Sequence, residues 1–268
     1  MSSPKSTNYT SIIVAGAFFR SNLYTKLTSA LEAASHYPAS AISLLSVDDG
    51  TRLPPATMAD DAAHIRSAIL AALDSPDDPR DVVLVLHSYS GFPGTCAVQG
   101  LDRAARAAEG KFTAVVGLVY IASFMPPEGM SLRGKIAGMP ALPEEYRLSR
   151  GGYLPAITEE VMFACMNDMP AEEALANLPN TALHSSDSYD GKVWFEGWKV
   201  IPALQVVSGR DVIVPREMQE EMFVEARAAG ANVVQKVFEN ASHGLTISLS
   251  DELAHDIVLF VSGAGPSV

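Results

Sequence analysis

Five consecutive apolar residues at 82–86 (Val-Val-Leu-Val-Leu) run straight into His87-Ser88-Tyr89-Ser90-Gly91 and then a helical pattern. A strand apolar on both alternating faces must be covered on both sides, the situation of a parallel sheet with helical crossovers. The rest of the chain supplies matching pieces. Short apolar runs at 11–14, 41–45, 81–86, 114–121, 203–207 and 233–238 alternate with helical stretches near 23–35, 58–73, 94–108, 216–229 and 251–261. This rhythm predicts an α/β fold, a mostly parallel, doubly wound sheet flanked by helices. Pro93 and Pro215 stand near helix starts, where a missing N–H is tolerated.

The interval 124–201 breaks the rhythm. It is rich in Pro, Gly, Met and aromatic residues, and a structureless connection of that length does not suit a compact domain. The expectation is a core of residues 1–123 and 202–268, with an inserted, largely helical lid at 124–201. A chain of 268 residues can bury roughly three-quarters of its unfolded surface, enough for one large core with such an insertion.

Charge narrows the partners. Nineteen basic against 31 acidic side chains give −12, a field that repels polyphosphate and anionic lipid. Nucleic acid and membrane surfaces are therefore not expected partners; a small molecule is, and a homodimer stays open. Cys96 and Cys165 have no motif spacing and fit a reducing compartment, one disulfide being left open. Residues 1–10 are polar, without the apolar core of a signal peptide. No run approaches the roughly 20 apolar residues of a spanning helix, and a cytoplasmic location is expected. Nothing has metal-ligand spacing or forms a phosphate-binding glycine loop, so no metal or organic cofactor is expected.

A strand, a tight turn of small residues and a helix together force the central residue of the turn into a strained backbone. Its side chain then stands above the sheet edge, as in the G-x-S-x-G elbow. Two serines compete for that place. With Ser90 at the centre, Phe92 would crowd the space after the turn; with Ser88 there, Ser90 and Gly91 leave room. Ser88 is the expected nucleophile, against the plainer reading of a helix cap. A serine hydroxyl needs a base, itself oriented by a third group. On this architecture the partners follow in the order Ser, Asp, His, each beyond a strand end. Asp211 follows the run 203–207 and His243 follows 233–238, so both belong at the same sheet edge as Ser88. Backbone N–H groups must also meet the charge developing on a carbonyl oxygen. Tyr89, after the nucleophile, and Ala17, after Gly16 in the first loop, are the expected oxyanion-hole donors. His87 is expected to be a supporting side chain.

Together these segments resemble the α/β-hydrolase superfamily. The likeness is to small plant methyl-ester esterases and hydroxynitrile lyases, and to fungal single-domain hydrolases with a His-Ser-Tyr-Gly-Gly elbow. It runs from Ile12 to about Val261, through Val14-Ala-Gly-Ala-Phe, Asp60 to Ile69, Leu86 to Gly91, Leu118-Val-Tyr-Ile-Ala-Ser-Phe, Gly209-Arg-Asp211 with Pro215, and Ser242-His243. Four positions depart from the pattern. Ala15 stands where such esterases carry histidine, Ser90 replaces an elbow glycine, and Gly244 follows His243 where the lyases place lysine. Ala17 stands where those lyases would offer a threonine, so cyanohydrin cleavage is not expected.

The resemblance implies a serine hydrolase acting on an ester or lactone of a small, largely apolar molecule. Phe18, Phe124, Met125 and Trp194 are the expected walls of its pocket. Two alternatives remain open from sequence: a biosynthetic enzyme of the same fold doing C–C cleavage, lactonisation or cyclisation, and a non-catalytic small-molecule binding protein.

Overall fold

The computed structural model describes residues 8–138, 144–148 and 151–265. Six strands form one sheet: β1 (Tyr9–Val14), β2 (Ala39–Ile42), β3 (Asp81–His87), β4 (Val115–Ile121), β5 (Ala203–Ser208) and β6 (Val233–Phe238). Their order is β2-β1-β3-β4-β5-β6, and every neighbouring pair is parallel. Every residue of β3 and β5 is buried, whereas β2 and β6, at the edges, are mostly half-buried. The unbroken apolar run at 82–86 is thus a central strand, each Val or Leu contributing about 1.5–3 kcal/mol by leaving water.

The helices that cover the sheet are α1 (Thr25–Ser35), α2 (Met58–Leu73), α3 (Gly91–Ala97), α4 (Arg103–Ala108), α5 (Arg216–Ala228) and α6 (Ser250–Ser262). Right-handed crossovers put α2, α3 and α5 on one face and α1 on the other; α6 packs against α1, and α2 against α3. Helix α2 starts with a reciprocal cap: the Thr57 hydroxyl accepts from Asp60 N–H while the Asp60 carboxylate accepts from Thr57 N–H. Its buried stripe is Met58, Ala62, Ile65, Ile69 and Leu73, together with one carboxylate, Asp61.

Two local expectations are corrected. The second strand is Ala39–Ile42 rather than 41–45, because it pairs with β1 only from Ser11↔Ala39 to Val14↔Ile42. Leu44 has left the sheet but is buried, so its apolarity reports the core and not a strand. The helix expected over 94–108 is two helices. Gly100 turns the chain at φ 73°, and the Asp102 carboxylate caps a new start by accepting from Ala104 and Ala105 N–H.

Between β4 and β5 the chain forms the short helices Leu132–Ile136, Glu144–Leu148, Glu159–Cys165 and Ala171–Leu175. It also forms two short strands, Tyr153–Leu154 and Leu183–Ser185, which join Val47–Asp48 in a small antiparallel sheet. A largely helical interval omits that sheet, since strands of two or three residues carry no readable period. No helix among the described residues is long and apolar enough to cross a membrane, and both cysteines are buried and free.

From β1 the chain moves outward to β2, and from β3 it moves the opposite way to β4. Such a switch point opens a crevice at the carboxyl ends of the two strands. The loops after β1, β3, β5 and β6 converge there.

Candidate active site

Strand β3 ends at His87, and Ser88–Ser90 make one tight turn leading into α3. Ser88 is held at φ 56°, a left-handed conformation that costs a non-glycine residue roughly 1–3 kcal/mol. Two contacts keep it there. The Ser123 hydroxyl donates to Ser88 O at 2.7 Å, and a Cβ at Gly91 would lie 2.1 Å from Phe124 O. Gly91 is therefore the glycine this turn requires. Ser90 needs none at φ −60°; its hydroxyl reaches His87 O at 2.8 Å and Val14 O at 3.1 Å, tying β3 to β1. Ser90 faces the strands, and Ser88 faces His243.

The Ser88 hydroxyl and His243 Nε2 are 3.0 Å apart, and His243 Nδ1 and Asp211 Oδ2 are 2.8 Å apart. With Nδ1–H donating to the carboxylate, Nε2 is left to accept the serine proton. All three residues are buried. Asp211 Oδ1 accepts from Ile213 N–H at 2.8 Å and Val214 N–H at 2.9 Å, and the Gln219 amide donates to Oδ2 at 3.3 Å. Two backbone bonds join the aspartate and histidine loops: Gly209 N–H to Phe238 O, and Arg210 N–H to Ala241 O. A Cβ at Gly209 would lie 2.3 Å from Glu239 O, so only glycine permits that approach.

A fully buried chain of hydrogen bonds runs beneath these groups. Gly16 N–H donates to the Tyr24 oxygen at 2.9 Å, and the Tyr24 hydroxyl donates to His87 Nδ1 at 2.7 Å. His87 Nε2–H then donates to His243 O at 2.9 Å. Each donor and acceptor is assigned by elimination, which leaves His87 neutral. Burial, with His243 beside it, pushes the His87 imidazole down to about 3. The first loop and the backbone of His243 thus share one anchor. Tyr24 and Gln219 carried no recognisable signal in the sequence.

Ala17 N–H has no hydrogen-bond partner among the described residues. Tyr89 is the second residue of its helical turn, where N–H groups lack intrahelical partners. Both belong to residues lining a cavity of about 370 Å³ that also holds Ser88 and His243. Phe18, at φ 67°, and Val214 wall this cavity from the core; Phe124, Leu132, Ile136, Tyr146 and Val161 wall it from the interval 124–201. Met125 and Trp194, expected walls, lie elsewhere. Met125 is buried with its N–H on Met222 Sδ, and Trp194 is 42% exposed with its N–H on Cys96 Sγ. Met125 packs the body instead, and Trp194 stands partly in solvent. Glu145 and Glu160 line the cavity too, and among the described residues no Lys or Arg does.

Behind Tyr89 lies a second polar group. The Tyr89 hydroxyl donates to Asp61 Oδ2 at 3.1 Å, and Ser46 N–H donates to Asp61 Oδ1 at 2.9 Å. Burial raises the Asp61 carboxyl to about 6. His184 Nε2–H donates to the Ser188 oxygen at 2.9 Å, its Nδ1 has no partner among the described residues, and burial lowers the ring to about 3. Among the described residues no group of three or more His, Cys, Asp or Glu could hold a metal ion. Gly244, which follows His243, could not be lysine without movement, since a Cβ there would lie 2.7 Å from Met166 Cγ.

An alcohol whose proton can pass to a ring nitrogen, beside unpaired N–H groups, can attack a carbonyl and hold the resulting oxyanion. Comparison with known proteins bears on that chemistry. The model of the Alpha/beta hydrolase family matches residues 12–256. A probable hydrolase of a Phoma species is 27% identical over 252 residues, 94% of this chain and 97% of that protein. A pyrethroid hydrolase from Sphingobium faniae has a similar structure, with TM-score 0.71 at 20% identity over 94% of this chain and 97% of that one. So does a methylesterase from Arabidopsis, with TM-score 0.67 at 16% identity over 95% and 99%. At those identities the solved structures show the shared fold.

Proposed function

The chain belongs to the alpha/beta hydrolase family, and from that premise we propose that it cleaves an ester or lactone of a small, largely apolar molecule through an acyl-enzyme on Ser88. The observation that carries this reading is the hydrogen-bonded line Asp211–His243–Ser88 at an apolar cavity. The cavity is of drug-sized volume, and its charged rim is acidic, so a neutral ester suits it better than a phosphate or carboxylate. The interval 124–201 acts as the lid, because its helices supply one wall of the cavity while the core supplies the other.

In the first step His243 Nε2 takes the Ser88 proton as Oγ bonds to the carbonyl carbon, and the carbonyl electron pair moves onto oxygen. The N–H groups of Ala17 and Tyr89 hold that oxyanion. As the electron pair returns, the carbon–oxygen bond to the alcohol breaks and His243 gives its proton to the departing oxygen. Water then repeats the sequence: its proton goes to His243, its oxygen to the acyl carbon, and the proton returns to Ser88. Asp211 holds the ring in the required tautomer and stabilises its cation.

A fluorophosphonate probe tests the nucleophile. Covalent label is expected on the peptide carrying Ser88 by mass spectrometry, and absent from Ser88→Ala. If the intact protein stays unlabelled while a control hydrolase reacts, the assignment fails. The alternatives divide on the same material: a binding protein neither labels nor turns over, and a cyclase or C–C lyase labels yet releases no acid from esters. A further expectation concerns the buried anchor. Tyr24→Phe unties Gly16 and leaves His87 Nδ1 without a donor, so kcat toward p-nitrophenyl butyrate should fall roughly 10- to 100-fold at nearly constant KM. An unchanged kcat would show that the first loop is held without it.

A further inference from the structure

The loop that carries His243 is gripped from outside the core. Helix Glu159–Cys165 lines the cavity with Glu160, Val161, Ala164 and Cys165, and the chain just beyond it reaches both sides of the histidine. Cys165 O, a carbonyl at the end of this helix, accepts from Gly244 N–H at 2.7 Å. The Asp168 carboxylate accepts three hydrogen bonds: from Ser242 N–H at 3.0 Å, from the Ser242 hydroxyl at 2.6 Å and from the Ser248 hydroxyl at 2.7 Å. Between them, Asn167 donates to Arg210 O, next to Asp211, at 3.3 Å. Residues 165–168 therefore hold both neighbours of the base and touch the neighbour of the acid.

From this geometry, and resting on the hydrolase reading above, we infer that Asp168 is a positioning residue for the reaction, an anchor through which the cavity-lining helix sets the place of His243. The bonds it accepts are charge-assisted, and the 2.6 Å contact has the length such an O–H···O⁻ bond takes. Both it and Cys165 O act on backbone or on Ser242, not on the imidazole, so they fix where the ring starts from and not its chemistry. The consequence is mechanical. The wall that meets the substrate and the loop that carries the base are tied to one segment.

The test compares Asp168→Ala and Asp168→Asn with the wild type in two readouts: the rate of fluorophosphonate labelling at Ser88, and kcat and KM for p-nitrophenyl butyrate. Thermal melting identifies folded variants. Displacing a catalytic group by about an ångström costs roughly 10²-fold, so the alanine variant should label about 100-fold more slowly and lose kcat alike, with KM nearly unchanged. Asn keeps one carbonyl oxygen as acceptor and should fall between the two. If the alanine variant does not fold, Ser242→Ala carries the test, since it removes the shortest of the three bonds and leaves the backbone one; slower labelling is again expected. Labelling at the wild-type rate in a folded alanine variant, or in Ser242→Ala, overturns the inference. So does a raised KM at constant kcat, which would make Asp168 part of the cavity wall only. Wild-type protein that never labels at Ser88 would overturn the hydrolase reading and this inference with it. A labelled wild type beside an equally fast variant overturns this inference alone.

Discussion

Ser88→Ala should lower ester turnover by roughly 10⁴-fold or more while KM stays near its starting value. In the proposed mechanism the substitution deletes the atom that forms the acyl bond and little else, since the cavity walls and the N–H groups of Ala17 and Tyr89 remain. What survives should be a small excess over the uncatalysed rate, from oxyanion binding and orientation alone. Because the proposed mechanism makes the serine and the histidine act as one unit, Ser88→Ala combined with His243→Ala should be scarcely slower than Ser88→Ala alone. Steady-state kinetics on purified, folded variants decide it. Turnover close to wild type without the hydroxyl would mean that the cavity works by shaping its ligand, with no covalent intermediate.

The second large effect is on the fold itself and concerns acid. His87 and His184 are buried neutral, and both rings refuse a proton until about pH 3, against the usual 6.5. As pH falls below 6.5 the unfolded chain gains protons that the folded chain does not take. Stability is therefore lost with falling pH, by about 1.4 kcal/mol per unit for each ring. Asp61 opposes this. Its folded carboxyl takes up a proton near pH 6 instead of the usual 3.8, which restores about 1.4 kcal/mol per unit between those values. Two rings outweigh one carboxyl, and by pH 4 the expected net loss is about 4 kcal/mol, a large part of the 5–15 kcal/mol typical of a domain. Hydrogen-bonded Asp48, Asp60 and Asp74, whose carboxyls are lowered, act in the same direction as the histidines, but they are solvated and add little. Urea titrations followed by tryptophan fluorescence at pH 7 and pH 4 measure the difference. His184→Asn keeps a donor toward Ser188 and removes one titrating ring, so its stability should be nearly level between pH 6 and pH 4. A wild type equally stable at pH 7 and pH 4 would contradict the neutral burial of these rings.

Much of this molecule could be read from local pattern. The strand-turn-helix at Ser88 was legible because small residues crowd one short stretch after five apolar ones. Asp211 and His243 were legible because each follows a strand-like run in the required order. What could not be read depends on contacts made at a distance. Tyr24 meets His87 across 63 positions and Asp168 meets Ser242 across 74, and neither pairing leaves a mark on nearby sequence. Gln219 sits among charged residues of α5, so it reads as solvated, yet it is fully buried under Asp211. Met125 and Trp194 show the reverse error. An apolar residue in an irregular interval does not declare what it will meet: Met125 is covered by the core, and Trp194 is largely left at the surface. The break of the helix at Gly100 and Asp102 was visible in principle, since a glycine and an N-cap aspartate stand two residues apart.

The separation of Ser88 from His243, 155 positions along the chain, has a consequence for how the protein comes into being. The strained turn at Ser88 can form once β3 is flanked by β1 and β4, but its partner arrives only behind β6, at the outer edge of the sheet. During synthesis the serine is an ordinary alcohol for most of the time the chain takes to emerge. On the proposed mechanism, reactivity would switch on only with the docking of the final strand, and half-made copies would stay chemically silent.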